Sequence, residues 1–264
     1  GEGVRTGYLE QAVTGFFPDT PQTGHKLREL EEKIQSLEKT FGLHSRREFR
    51  QMDEEDWAES WKAFFWPQRI TSRITVKPTW REYKAGSDEI VLEIDPGMAF
   101  GTGTHSTTAL CINLMEKYLL AGSTFLDIGT GSGILMIAAA KLGAVRLVGI
   151  DNDEIALGIA DKNLQTNHIR QACFELKPGN LAEGIDGRFD LIVANILSNV
   201  ILKLLGTIGR HMSSKSVLIC SGIYQDNCGD VLKKIQQQGL KVLEKQHEDG
   251  WVAIACSNLD SSTA

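Results

Sequence analysis

Apolar residues recur along this chain with two periods, and the places where the period changes can be read directly. Leu27, Leu30, Ile34, Leu37 and Phe41 step by threes and fours, the single stripe of an amphipathic helix, and Gly42 closes it. Residues 8–17 read as a strand ahead of that helix and residues 46–52 as a strand behind it. Strand–helix–strand is the second half of a small split βαβ unit, so residues 1–52 are expected to be a partial, truncated α+β domain. Asp53 followed by Glu54, Glu55 and Asp56 reads as an N-cap and an acidic first turn. Trp57, Trp61 and Phe64 or Phe65 then form an aromatic stripe that Pro67 ends. A stripe of that kind packs against something, so residues 53–66 are expected to be a linker helix leading to a larger domain at 67–264.

In that larger domain, alternation at 69–77 predicts one strand and the apolar run at 90–94 another. Strands are expected at 125–128, 145–150, 172–176, 189–194 and 216–220. Helices are expected at 107–119, 134–142, 153–166, 197–211 and 226–238. Strands 240–247 and 251–256, joined at Glu248-Asp249-Gly250, read as a closing antiparallel hairpin. Strands alternating with helices, the strands short and almost wholly apolar, define an α/β fold with a doubly wound, mostly parallel sheet.

Composition narrows the possible partners. The formal charge is −6, and residues 86–264 carry all of the excess, with 20 Asp/Glu against 14 Lys/Arg; residues 1–85 are balanced at 14 each. An acidic large domain disfavours nonspecific nucleic-acid binding and suits a basic substrate. The 5 cysteines form no C-x-x-C pair, which fits reduced thiols in a cytoplasmic protein. The 6 histidines are scattered without ligand spacing, so no metal is expected. No apolar run reaches membrane length. A self-complementary apolar patch is not visible either, and a monomer is expected.

The candidate chemistry starts at Asp127-Ile128-Gly129-Thr130-Gly131-Ser132-Gly133. This is a buried strand ending in a glycine turn that opens a helix, a geometry in which backbone can approach a polar ligand. A dinucleotide fingerprint would put its third glycine at position 134, which is Ile134, and Asp127 would repel a pyrophosphate. The next strand ends in Asp151, where an open α/β sheet holds a ribose. The strand at 189–194 leads into Asn195, which should face the same crevice. Residues 95–108 (DPGMAFGTGTHSTT) are too polar for core and too rich in glycine for helix.

Those four segments together resemble one family, the bacterial PrmA methyltransferases, which modify the large-subunit ribosomal stalk protein eleven. The likeness runs from Glu55-Asp56-Trp57, through Trp80-Arg81, to the closing hairpin, and the segment 95–108 is its most specific part. The resemblance implies a Rossmann-like class I methyltransferase domain behind a small substrate-capturing domain. It implies S-adenosyl-L-methionine as cofactor, with contacts at Thr108, Gly129, Asp151 and Asn195. It further implies methylation of amino groups on a ribosomal protein, on lysine side chains or the N-terminal amine. A class I enzyme acting on a small molecule or nucleic acid is the alternative. Ser106 stands where proline is expected, and Thr130 where cysteine is common; neither change is expected to matter much.

Within that frame Asp151 would bind ribose hydroxyls, and Gly129 and Gly131 would let the turn approach the amino-acid end. Thr108 would hydrogen-bond the carboxylate or help to cage the sulfonium. Phe100 and its neighbouring glycines would form a lid. Asn195 would accept hydrogen bonds from the incoming amine and aim its lone pair. His105 is a tempting base, but a histidine at a helix start reads as a cap and stays unassigned.

Overall fold

The computed structural model describes residues 23–49, 62, 65–97, 103 and 105–258. The chain divides into two compact units, Gly1–Asp53 and Glu54–Ala264. In the first, helix α1 (Thr23–Phe41) follows the expected stripe and ends at Gly42, whose φ of 64° is the left-handed conformation glycine adopts most easily. The strand expected at 46–52 does not form over residues 46–49. There the chain is tied back to the helix instead. The Glu38 carboxylate accepts from the Ser45 amide at 2.8 Å and the Ser45 hydroxyl at 2.7 Å, and pairs with Arg47. These bonds hold the Glu38 pKa down at about 2. The strand expected at 8–17 and nearly all of the linker helix expected at 53–66 lie outside the described residues.

The second unit opens with a three-stranded sheet of β1 (Gln68–Arg69), β2 (Ile74–Pro78) and β3 (Ile90–Ile94). The single strand expected at 69–77 is two strands. Thr71 Oγ1 accepts from the amides of Arg73 and Ile74 at 3.1 and 3.0 Å, folding the chain back so that β1 lies antiparallel to β2. β2 and β3 run parallel.

The large sheet has seven strands in the order β6-β5-β4-β7-β8-β10-β9. β4 (Thr124–Ile128), β5 (Arg146–Asp151), β6 (Phe174–Pro178), β7 (Phe189–Asn195) and β8 (Met212–Tyr224) are parallel. β10 (Trp251–Asn258) is antiparallel to both β8 and β9 (Leu240–Glu248). The β9–β10 loop is Asp249-Gly250 with φ of 49° and 79°, the twin positive angles of a two-residue hairpin turn.

Side chains alternate across this sheet. Phe125, Leu191, Val193 and Ile219 face a core built with α2 (Ser106–Tyr118), α3 (Ile134–Lys141) and α4 (Glu154–Thr166). Leu126, Ile128, Ile192, Ala194 and Cys220 face a second core, with α5 (Ser198–Leu204) and α6 (Cys228–Gln237). Covering on both faces is why these strands read as continuous apolar runs. The long helix expected at 197–211 stops at Leu204, with Gly206 and Gly209 following, and resumes only as a 3-10 turn at Ile208–His211. From β4 the chain winds outward through β5 and β6, and from β7 outward the other way. The crevice beyond the carboxyl ends of β4 and β7 is therefore the switch point at which such sheets bind ligands.

Candidate active site

Asp127 sits at the root of the glycine turn and is fully buried. Its Oδ2 accepts from Thr130 Oγ1 at 2.8 Å, while Oδ1 has no hydrogen-bond partner among the described residues. Burial raises its pKa to about 7, with the charge on Asp151 adding to the rise and the Thr130 bond opposing it. Thr130 thus makes the hydrogen bond that secures this carboxyl, a larger role than the sequence suggests. Gly129, Gly131 and Gly133 have φ of 75°, 52° and 79°. The amides of Gly129 and Thr130 donate to Ile150 O at 2.8 and 3.0 Å, and the amide of Gly131 donates to Asp151 Oδ2 at 2.8 Å. Asp151 Oδ1 accepts from the Asp153 amide at 3.1 Å. The acid at the end of β5 is therefore clamped to the turn and points along the same edge.

Asn195 closes the opposite side. Its Nδ2 donates to Thr108 Oγ1 at 3.3 Å, joining the end of β7 to the first turn of α2. With the amide nitrogen engaged, the amide oxygen is the group that can accept from an incoming amine. The start of α2 is held from several sides. His105 caps it, its side chain accepting from the Thr107 amide, and its ring meets Trp251 edge-on at 5.3 Å. Ser221 Oγ donates to Thr107 O at 3.0 Å, and Ser106 Oγ donates to Asp249 Oδ2 at 2.7 Å. The serine at 106 thus has a function that proline could not supply, tying the helix to the closing hairpin.

Gly222 sets the position of the Asn195–Ile196 backbone. Its φ is 81°, and a Cβ there would collide with Ile196 O and come within 3.0 Å of the carbonyl carbon. Gly222→Ala is expected to cost about 2–3 kcal/mol, combining a left-handed φ with overpacking against backbone, and to appear as a lower denaturation midpoint with an unchanged slope.

Two bonded pairs, Gly131–Asp151 and Asn195–Thr108, therefore stand at the carboxyl edge of the neighbouring strands β5, β4 and β7, with Gly129 at the end of β4 between them. Phe100 lies outside the described residues. Among the described residues no group of three His, Cys, Asp or Glu stands close enough to hold a metal ion, and no helix is long and apolar enough to cross a membrane. Sequence reading passed over Asn163 on α4 and Asn167 at its C-terminal cap, which are buried although polar. Their signal was present: Ala156, Ala160, Asn163 and Asn167 continue one helical stripe at spacings of four, three and four.

The donor set suits one chemistry. The carboxyl at 151 opposes an anionic ligand and favours one with hydroxyls and a positive centre. The sequence profile of the ribosomal protein L11 methyltransferase (PrmA) family matches residues 3–258. The chain belongs to that family. A ribosomal protein L11 methyltransferase of Desulfosudis oleivorans is 42% identical over 245 residues, covering 92% of this chain and 81% of that one. One from Pelotomaculum thermopropionicum is 42% identical over 243 residues, covering 92% and 78%. The crystal structure of ribosomal protein L11 methylase from Lactobacillus delbrueckii subsp. bulgaricus has a TM-score of 0.70 and 31% identity, covering 74% of this chain and 99% of that one. The crystal structure of SMU.776 complexed with SAH has a TM-score of 0.51 at 16% identity over 59% of this chain and 50% of that one, which speaks to the fold alone. For a member of the PrmA family, the clustering of Asp151, the glycine turn, Thr108 and Asn195 locates a candidate methyl-transfer site.

Proposed function

We propose that this chain transfers methyl groups from S-adenosyl-L-methionine to amino groups of ribosomal protein L11, at the edge where Asp151, the turn at 129–133, Thr108 and Asn195 converge. Membership of the PrmA family carries the reaction class, and the Asn195–Thr108 bond beside the glycine turn carries its location. Asp151 would hold the ribose hydroxyls, and Gly129 and Gly131 would lie along the amino-acid end. The cofactor supplies the activated methyl group. The protein's part is to present a neutral amine in line with it. A free lysine has a pKa of about 10.4, so an apolar, cation-bearing cleft must favour the deprotonated form. Asn195 does not ionise; its role is to orient the amine. The −6 charge suits a basic protein substrate, and the reading extends to a monomer working beside the ribosome in the cytoplasm, with residues 1–52 assisting capture.

The test is incubation of the protein with radiolabelled methyl donor and total ribosomal components. One labelled protein band at L11 is expected; label in ribosomal RNA instead would overturn the substrate. Asp151→Ala removes the acceptor of the Gly131 amide as well as the proposed ribose contact. It is expected to raise the donor Kd at least tenfold, by about 1.4 kcal/mol or more, in a calorimetric titration. The rate at saturating donor should fall less than the affinity does.

A further inference from the structure

We infer that Asn163 is a positioning residue of the donor site, fixing the spacing between the glycine turn and the loop that leaves β3; the inference rests on the methyltransferase reading above. The even residues of β3 face β2, as the bonds from Ile90 N to Arg73 O at 2.7 Å and from Thr79 N to Ile94 O at 3.1 Å require. The odd residues face the other edge, and side chains satisfy them. Lys141 Nζ donates to Val91 O at 2.7 Å. Asn167 accepts from Glu93 N at 3.0 Å and donates to Glu93 O at 2.6 Å. Asn163 does the same one step on, accepting from Asp95 N and donating to Asp95 O, both at 3.0 Å. Two side-chain amides thus stand in for a neighbouring strand, which answers the need of buried backbone for partners.

The amide nitrogen of each asparagine makes a second bond, and the acceptors differ. Asn167 Nδ2 donates to Asn163 O at 2.8 Å, next to its own helix, whereas Asn163 Nδ2 donates to Ser132 O at 2.9 Å, inside the glycine turn and beside Gly131, whose amide Asp151 holds. Asn163 and Ser132 are both buried, at 2% and 0% exposure, so water cannot replace these bonds. Gly103 has φ of 83° and packs so tightly on Ile134 and Val76 that a Cβ would collide with both. Ile134 is the first residue of α3, directly after the turn. Asp95 is therefore bonded to the residue that holds the turn, Asn163, and Gly103 lies against the first residue of the helix that follows the turn, Ile134. Asn163 fixes where the loop starts relative to the turn that faces the donor, whereas Asn167 fixes strand β3 alone.

That contrast supplies the experiment: calorimetric donor titrations and steady-state kinetics on wild type, Asn163→Ala, Asn163→Asp and Asn167→Ala, with thermal stability measured for each. Asn163→Ala is expected to raise the S-adenosylmethionine Kd and KM at least tenfold, with kcat at saturating donor within threefold of wild type. Asn167→Ala should lose comparable stability and keep the donor Kd within twofold. Asn163→Asp keeps the shape and the bond from Asp95 N but cannot donate to either Asp95 O or Ser132 O; it should weaken binding at least as much, and it carries the test if the alanine variant does not fold. Equal changes in Kd for the 163 and 167 variants, or wild-type affinity in Asn163→Asp, would overturn the inference alone. Wild-type protein that takes up no donor would overturn the methyltransferase reading, and this inference with it.

Discussion

Asn195→Ala is expected to lower methyl transfer at least tenfold while donor affinity changes by no more than about 1–2 kcal/mol, the usual scale of one lost hydrogen bond. The asymmetry follows from where the side chain stands. Its nitrogen is spent on Thr108 Oγ1 at 3.3 Å, and its oxygen remains to receive an amine at the end of β7. Positioning of a nucleophile supplies up to roughly 7–11 kcal/mol in ideal systems, so even a partial loss of aim is costly. A second measurement separates orientation from base catalysis. Because an amide does not titrate, the rate of wild type and variant should rise with pH in parallel, governed by the amine of the substrate. A profile that flattens in Asn195→Ala would mean that a titrating group had been disturbed, and full turnover would mean that another residue aims the amine.

The second large effect is on stability, at Asp127. Its folded pKa is about 7, against an ordinary value of 3.8 for the unfolded chain. Between those two pH values the folded protein keeps a proton that the unfolded chain has released, so stability falls as pH rises through this window and levels off above 7. The fall is on the order of 4 kcal/mol at roughly 1.4 kcal/mol per unit of difference. Asp127→Asn resembles the protonated acid in shape and cannot ionise. It should match wild type near pH 4 and exceed it in stability at pH 8, with the slope between them removed. Glu38, Glu89 and Glu244, each held near pKa 2 by hydrogen bonds, act in the opposite sense and only below about pH 4.5, so they do not mask this window. Urea denaturation of both proteins from pH 4 to 8 decides the matter, and parallel curves would show that the buried carboxyl stays ionised.

Much of this architecture could be read from the chain because its elements are local. Strand β4 announces itself as an apolar run, the turn at 129–133 as alternating glycines, and the closing hairpin as Asp249-Gly250 between alternating residues. Failures came where a side-chain hydrogen bond or a glycine, to which periodicity is blind, decides. The run at 69–77 alternates like one strand, yet the Thr71 hydroxyl folds it into two; a strand is expected from 46 on, yet Glu38 ties Ser45 and Arg47 back to the helix. The helix after β7 was over-extended because Gly206 and Gly209 weigh little in a stripe count but leave the helix without side-chain packing at its end.

By itself, the sequence determined the order of strands and helices, the carboxyl-edge location of Asp151 and Asn195, and the left-handed turn that only glycines fill comfortably. Periodicity and glycine spacing are properties of neighbouring residues, and they survive without knowledge of what lies across the sheet. Tertiary structure alone decided that Asp127 is buried beside one hydroxyl with its second oxygen unpartnered among the described residues. It alone decided that Ser106 would clasp the hairpin 143 residues away, and that two asparagines, one on α4 and one capping it, would serve as a missing strand. A polar side chain on a buried stripe looks like an error in the pattern until the backbone that needs its hydrogen bonds has been brought beside it.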